Sequence, residues 1–133
     1  MTEEFKTQFK QQLEDNKQKI IHLLNSPLLD EDGYPTAEAL DIIQLWSYNH
    51  PTGWFEFIKQ LWNMVEWGWE VVRQPHPNRS EVVVDRYYMS TGGWSGNEDV
   101  IRAMMKNTML WSFNWVSSRR GGHYVFEVEL EKE

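Results

Sequence analysis

Apolar positions fall at near-helical spacing over the first half of the chain and at alternating spacing over much of the second. From Thr2 to about Asn25, Phe5, Phe9, Leu13, Ile20, Leu23 and Leu24 recur among Lys, Gln and Glu, the pattern of an amphipathic helix that Ser26-Pro27 should end. Asp30-Glu31-Asp32-Gly33 opens like a calcium loop but lacks the later ligands in place, so its chemistry predicts an inter-helix turn. Thr36-Ala37-Glu38-Ala39 starts a second helix, with Leu40, Ile43 and Trp46 or Ile42, Leu45 and Trp46 as its buried stripe. After Asn49-His50-Pro51 a third helix is expected from about Thr52 to Glu66, where Trp54, Ile58, Leu61 and Val65 share a face that Phe55 and Trp62 widen.

After Gly68 the period drops to two and β-branched residues appear, which predicts a helix-to-sheet transition within one domain. Trp69–Arg73 and Glu81–Met89 read as strands separated by the Pro75-His76-Pro77-Asn78 turn. A glycine loop over 91–96 leads to a helix from about Asn97 to Asn107 that buries Val100, Ile101, Met104 and Met105. Two last strands, about 109–117 and 122–130, form a hairpin near Arg120-Gly121-Gly122. Trp111, Phe113 and Trp115 should take one face of the first, and Tyr124, Phe126, Val128 and Leu130 one face of the second, meeting in the core. The expected fold is α+β, with N-terminal helices packed on a four-stranded, mainly antiparallel sheet interrupted by one helix. The 133 residues form a single domain with a helical part, 1–66, and a sheet-and-helix part, 67–133.

With 41% hydrophobic and 14% aromatic residues, the chain has enough apolar surface for a core. It has no cysteine, which removes disulfides, thiolate zinc sites and a thiol nucleophile and suits a reducing compartment. His22, His50, His76 and His123 lack ligand spacing, and neither a metal nor another cofactor is expected. The N-terminus has no basic region leading into an apolar one, and no apolar run approaches the roughly 20 residues that span a bilayer. The expectation is a cytoplasmic protein without a membrane partner, and the Asn78-Arg79-Ser80 sequon is then incidental.

The net charge is −7, and residues 1–66 hold five Lys against eleven acids, a balance of −6, whereas residues 67–133 balance at −1. Every Arg falls in the second half, so an anion site, if present, belongs there. Duplex nucleic acid is not an expected partner, because no basic excess is present.

Chemistry concentrates in a two-part cassette: Ser90-Thr91-Gly92-Gly93-Trp94-Ser95-Gly96-Asn97-Glu98-Asp99, then Arg119-Arg120-Gly121-Gly122-His123-Tyr124. Ser95 and Glu98 have the spacing of a capping box, which would engage the Ser95 hydroxyl and leave no base beside it in sequence. The loop is no P-loop, since it lacks the Gly-Lys-Ser/Thr ending. Trp94, flanked by Gly93 and Gly96, is either a plug that closes the core or a platform for a flat ligand. The Arg-Arg-Gly-Gly segment is either a solvated hairpin tip or an anion site in which Arg120 and His123 project beside Trp94 or Arg86.

The stretch from about Tyr88 to Phe126, carrying this cassette and Leu110-Trp111-Ser112-Phe113-Asn114-Trp115, resembles a family of small bacteriophage and prophage proteins to which no activity is assigned. The resemblance implies a phage accessory protein in the host cytoplasm, with Trp94, Ser95, Glu98, Arg120, Gly121, Gly122, His123 and Tyr124 as the residues of interest. Three classes of function follow. The first is a non-catalytic binder of a small anionic, nucleotide-like ligand, which a phage would use against host defence by sequestering an immune signal; Arg86, Trp94, Ser95, Arg119, Arg120, His123 and Tyr124 are its candidate binding residues. The second is an acidic inhibitor of a host protein, acting through the helical half or exposed aromatics. The third is a hydrolase using His123 as general acid or base with Glu98 or Asp85. Binding is expected ahead of catalysis, no catalytic residue is assigned, and a homo-oligomer is compatible with any of the three.

Overall fold

A computed structural model describes residues 2–130. Helix α1, Glu3–Leu23, begins where the Thr2 hydroxyl accepts from the Phe5 N–H at 3.1 Å, with Glu3 and Glu4 in its first turn. It buries no residue completely; Phe9, Leu13, Ile20 and Leu23 are half-buried, and Phe9 meets Tyr48 with ring centroids 5.9 Å apart. The turn that follows is closed by the Asp30 carboxylate, which accepts from the N–H groups of Asp32 and Tyr34 at 2.9 Å each. Helix α2, Ala37–Leu45, is capped by Thr36 and buries Ala39, Ile42 and Ile43.

The third helix stops earlier than its periodicity predicts. Helix α3 spans Pro51–Leu61 and buries Trp54, Phe55, Phe57, Ile58 and Leu61, but Met64 then turns left-handed (φ 63°) and a separate short helix α4, Val65–Gly68, follows. Val65 therefore lies outside the α3 stripe. At Gly68 a Cβ would stand 2.5 Å from the Ser90 carbonyl oxygen, so the absence of a side chain is what lets α4 abut the sheet.

The sheet contains β1, Trp69–Pro75, β2, Val83–Ser90, β3, Trp115–Arg119, and β4, His123–Glu129, all antiparallel in the order β1-β2-β4-β3. Register opposes Trp69 to Met89, Tyr87 to Phe126 and Met89 to Tyr124, so these side chains share the face that the helices cover. Phe55 lies at its centre, stacked on Tyr87 at 4.3 Å and tilted against Phe126 at 5.3 Å. Burial pushes the Tyr87 phenol up to about 12, helped by the Asp85 and Glu56 carboxylates. The opposite face carries Arg86, Tyr88, Ser90, His123, Val125 and Glu127.

Two helices, not one, separate β2 from β3. Helix α5 is Ser95–Lys106 and buries Val100, Ile101, Ala103 and Met104, while Met105 is exposed. Helix α6, Thr108–Asn114, occupies most of the stretch whose aromatic alternation predicts a strand over 109–117. The Asn107 side chain decides this: its oxygen caps the Leu110 N–H, and its amide donates to the carbonyls of Ile43 and Trp46, each at 3.0 Å. Leu110 and Asn114 then face inward one turn apart, and Trp111 packs edge-on against Phe126 at 5.2 Å. Phe113 and Trp115, expected in the core, are 66% and 44% exposed. Tyr124, Phe126, Val128 and Leu130 do pack on the core, as their alternation predicts.

Candidate functional site

The two parts of the cassette form one structural unit. The β2–β4 ladder ends at Ser90 opposite His123, and the next N–H, that of Thr91, donates to the Gly122 carbonyl at 2.9 Å. Gly121 and Gly122 both have positive φ, 97° and 81°, which lets Arg120-Gly121-Gly122 close the β3–β4 hairpin. A Cβ on Gly122 would fall 2.1 Å from the Thr91 hydroxyl, so the loop and the hairpin tip interlock through the missing side chain.

The capping box does not form. Helix α5 starts at Ser95, its N-cap is Trp94 with no side-chain cap bond, and the Glu98 N–H donates to the Trp94 carbonyl at 3.1 Å. The Trp94 ring folds back over Gly96, where a Cβ would stand 2.2 Å from it, and stacks on Tyr34 at 4.7 Å. That packing draws the chain into helical geometry one residue before the cap that Ser95 would have made. Ser95 is left exposed at the first helical position. The glycine loop is braced instead by Thr91, which accepts from the Gly93 N–H at 3.3 Å, and by Asn97. The buried Asn97 side chain accepts from the Asn63 N–H at 2.9 Å and donates to the carbonyls of Asn63 and Thr91 at 3.1 and 3.3 Å.

Beside this loop lies a cleft of about 290 Å³ whose walls include Met64, Trp67, Gly92, Gly93 and Trp94. Trp67 is 63% exposed and rests against Gly92, where a Cβ would meet its ring at 3.0 Å. Trp94 thus plugs one side against Tyr34 while helping to wall a cleft on the other. Periodicity gives Met64 and Trp67 no functional signal, because Met64 lies within the helix expected to run to Glu66 and Trp67 directly after it; Gly68 is the one local mark of the break.

Four of the six arginines are neutralised by the fold among the described residues: Arg73 pairs with Asp85, Arg79 with Glu129, Arg86 with Glu127 and Arg102 with Asp99. Asp85, by hydrogen bond and charge, holds the Arg73 guanidinium above its ordinary value. Arg86 also lies over the Tyr88 ring, 5.5 Å from its centroid. Only Arg119 and Arg120 have no carboxylate partner among the described residues, and both sit at the hairpin end that meets the glycine loop. His123 shares the outer face with Arg86 and faces Arg119 across the β3–β4 pair. Its Nδ1 is 2.7 Å from the Ser90 hydroxyl, and its ring lies against Gly121. Tyr124 turns the other way, edge-on to Trp111 at 6.1 Å.

The Ser90–His123 contact is a partnership that the sequence does not reveal, since 33 residues separate the two. It brings a hydroxyl to an imidazole, but no carboxylate hydrogen-bonds to the ring among the described residues, so the orienting third group of a hydrolytic triad is not part of this arrangement. Glu98 and Asp85 do not reach it either: Asp85 is engaged by Arg73, and Glu98 lies on α5. Among the described residues no cluster of three or more His, Asp or Glu is placed to hold a metal ion, and no helix is long and apolar enough to cross a membrane.

The fold and site define an α+β domain in which a glycine loop lines an aromatic cleft and meets, through Thr91 and Gly122, the hairpin that carries Arg119 and Arg120. Compared with protein families, with curated proteins and with solved structures, the chain matches none.

Proposed function

We propose that the protein is a non-catalytic binding module for a small anionic ligand with a flat ring, a nucleotide being the chemical type. The ring enters the cleft between Trp67 and Trp94, and the anionic group faces Arg119, Arg120 and His123. The observation that carries this reading is the position of the two arginines that have no carboxylate partner among the described residues: the other four are paired, and these stand on the hairpin that meets the loop lining an aromatic cleft. A cleft of about 290 Å³ suits a single nucleobase and is at the small end for ligand sites. Arg86 and Tyr124 drop out of this reading, because one is paired and the other faces the core. Together with the resemblance to phage proteins, it favours a role in sequestering a host signalling nucleotide.

The test is a thermal-shift screen of the full chain against nucleotides and cyclic nucleotides. A ligand at a hundred times its Kd should stabilise the fold by about 2.7 kcal/mol. Arg119→Ala/Arg120→Ala and, separately, Trp67→Ala should abolish that shift while leaving the unliganded melting temperature in place, since all three side chains are exposed. A screen with no shift, or a shift that both variants retain, overturns the reading.

A second reading, a protein partner at the same surface, is favoured by one observation. Met64 and Trp67 are each 63% exposed, and acids stand nearby in the chain at Glu66 and, beside the Tyr34–Trp94 stack, at Asp30, Glu31, Asp32 and Glu98. Helix α1 has equal numbers of Lys and acids, so the −6 of the helical half belongs to residues 24–66, which include this loop. Charge reversal at Asp30, Glu31 and Asp32 should slow such an association, whereas it should not weaken a nucleotide shift.

A further inference from the structure

Helix α1 is joined to the rest of the fold without a polar contact. Among the described residues, every hydrogen bond and ion pair made by residues 2–26 stays within that segment: the Thr2 cap, the side-chain pairs one turn apart, and the N–H groups of Leu24, Asn25 and Ser26 bonded back into the last turn. From Pro27 onwards the bonding belongs to the next unit. The Pro27 carbonyl accepts from the Thr36 hydroxyl at 2.8 Å, and the Leu28 carbonyl from the Thr36 N–H at 3.0 Å. Proline has no N–H to donate backwards, so no hydrogen bond crosses the Ser26–Pro27 junction. What holds α1 in place is apolar. Phe9, Leu13, Ile20 and Leu23 are half-buried and rest on α2 and Tyr48, and none is buried completely. The contact is narrow: clefts of about 610 and 370 Å³ run along the two flanks of the helix, and Leu45 of α2 lines both. Every fully buried residue among those described lies between Ala39 and Val128, so α1 contributes none to the buried core.

We propose that α1 is a hinged strap: residues 2–26 swing away as one unit about the Ser26–Pro27 junction while the rest of the domain stays folded. Opening costs little because no hydrogen bond or ion pair breaks and no buried donor or acceptor is left without a partner. The bonds internal to the segment need not change. Only half-buried apolar side chains lose their contacts, the condition under which a part of a protein opens well below the free energy of global unfolding. Closed, α1 shields Leu45 of α2 and Tyr48 from water; open, it presents that strip and its own apolar stripe together. The motion is separate from the aromatic cleft, whose walls lie between Asn63 and Asn97.

Native-state hydrogen exchange of the full chain, in water and in dilute urea, reads this directly. The amides of residues 7–23 should share one protection level, at least about a hundredfold below the slowest amides of β2 and β4. That level should respond weakly to urea, because opening exposes far less surface than global unfolding does. Ile20→Ala and Leu23→Ala should each lower it about tenfold and leave the β2 and β4 amides unchanged. Val100→Ala, at a fully buried core position, should do the reverse, lowering β2 and β4 protection without moving the α1 level. The comparison of α1 with β2 and β4 in the unaltered chain decides the matter even where a variant folds poorly. Protection of α1 equal to that of the sheet would overturn the proposal, as would a steady decline towards Thr2 with no shared level, or α1 variants that weaken the sheet equally.

Discussion

Replacing Gly122 with Ala tests whether the cassette is held together as its geometry requires. Both hairpin glycines have positive φ, so an alanine at either costs about 1–2 kcal/mol in backbone strain. They differ in what a side chain would meet. At Gly121 the nearest atoms are those of the His123 ring at 3.4 Å, an ordinary contact, whereas at Gly122 the Thr91 hydroxyl is 2.1 Å away and the Thr91 Cβ 3.2 Å. Thr91 is 3% exposed and β-branched, so it cannot swing aside, and overpacking adds about 1–3 kcal/mol. Gly121→Ala should therefore destabilise by about 1–2 kcal/mol and Gly122→Ala by about 2–5 kcal/mol. Thr91→Ala alone should cost about 1 kcal/mol through its bond to the Gly93 N–H. In the double variant the hydroxyl clash is gone and only the 3.2 Å contact with Cβ remains, so the total should fall short of the sum by about 0.5–3 kcal/mol. Urea unfolding followed by tryptophan fluorescence measures all four chains. Equal losses at the two glycines, or additivity with Thr91→Ala, would refute the interlock.

Tyr87 gives a pH signature. Its phenol stays protonated in the fold to about 12 but ionises at 10.0 when unfolded, so stability is full below pH 10 and declines as pH rises towards 12, by about 2.7 kcal/mol in all. The loss of unfolding free energy between about pH 9 and about pH 11 should be smaller in Tyr87→Phe by about 1.4 kcal/mol; identical slopes would contradict the burial argument. Asn107→Ala removes the α6 cap and two bonds to the α2 carbonyls and should cost about 2–3 kcal/mol in thermal or urea unfolding. Asn107→Asp keeps the cap oxygen but turns an acceptor towards those carbonyls, so it should be worse than Ala; a milder effect would mean that the donors contribute nothing.

The starts of α1 and α2 were legible because their causes are local. Thr2 and Thr36 cap the helices that follow them, and the Gly121-Gly122 pair marks its hairpin by the φ values only glycine adopts freely. The misread segments depend on residues far along the chain. Trp111-Ser112-Phe113-Asn114-Trp115 alternates like a strand over so short a span that it fits a helix equally well. What decides between them is the bonding of Asn107 to Ile43 and Trp46, 64 and 61 residues earlier. Met64 carries no mark of its left-handed turn, and without that turn it reads as part of a longer helix, with Trp67 just past its end, rather than as the wall of a cleft.

The candidate site was obscured in the same way, and by the same kind of cause. In sequence the six arginines look alike, and only the Asp99–Arg102 pair, three residues apart, can be seen locally. The carboxylates that neutralise Arg73, Arg79 and Arg86 come from 12, 50 and 41 residues away, and strand register sets their positions. Which guanidinium groups remain available to a ligand is thus a property of the sheet, not of the motif that contains them. The Arg119-Arg120 pair owes its candidacy to a pairing pattern that leaves it over, and strand register likewise brings His123 to Ser90. A change that shifted the β2–β4 register by two residues would keep every side chain on its face, yet it would move Arg86 away from Glu127 and His123 away from Ser90. Such a shift should change which guanidinium groups are paired while the core face stays apolar, because that pairing is written in register rather than in composition.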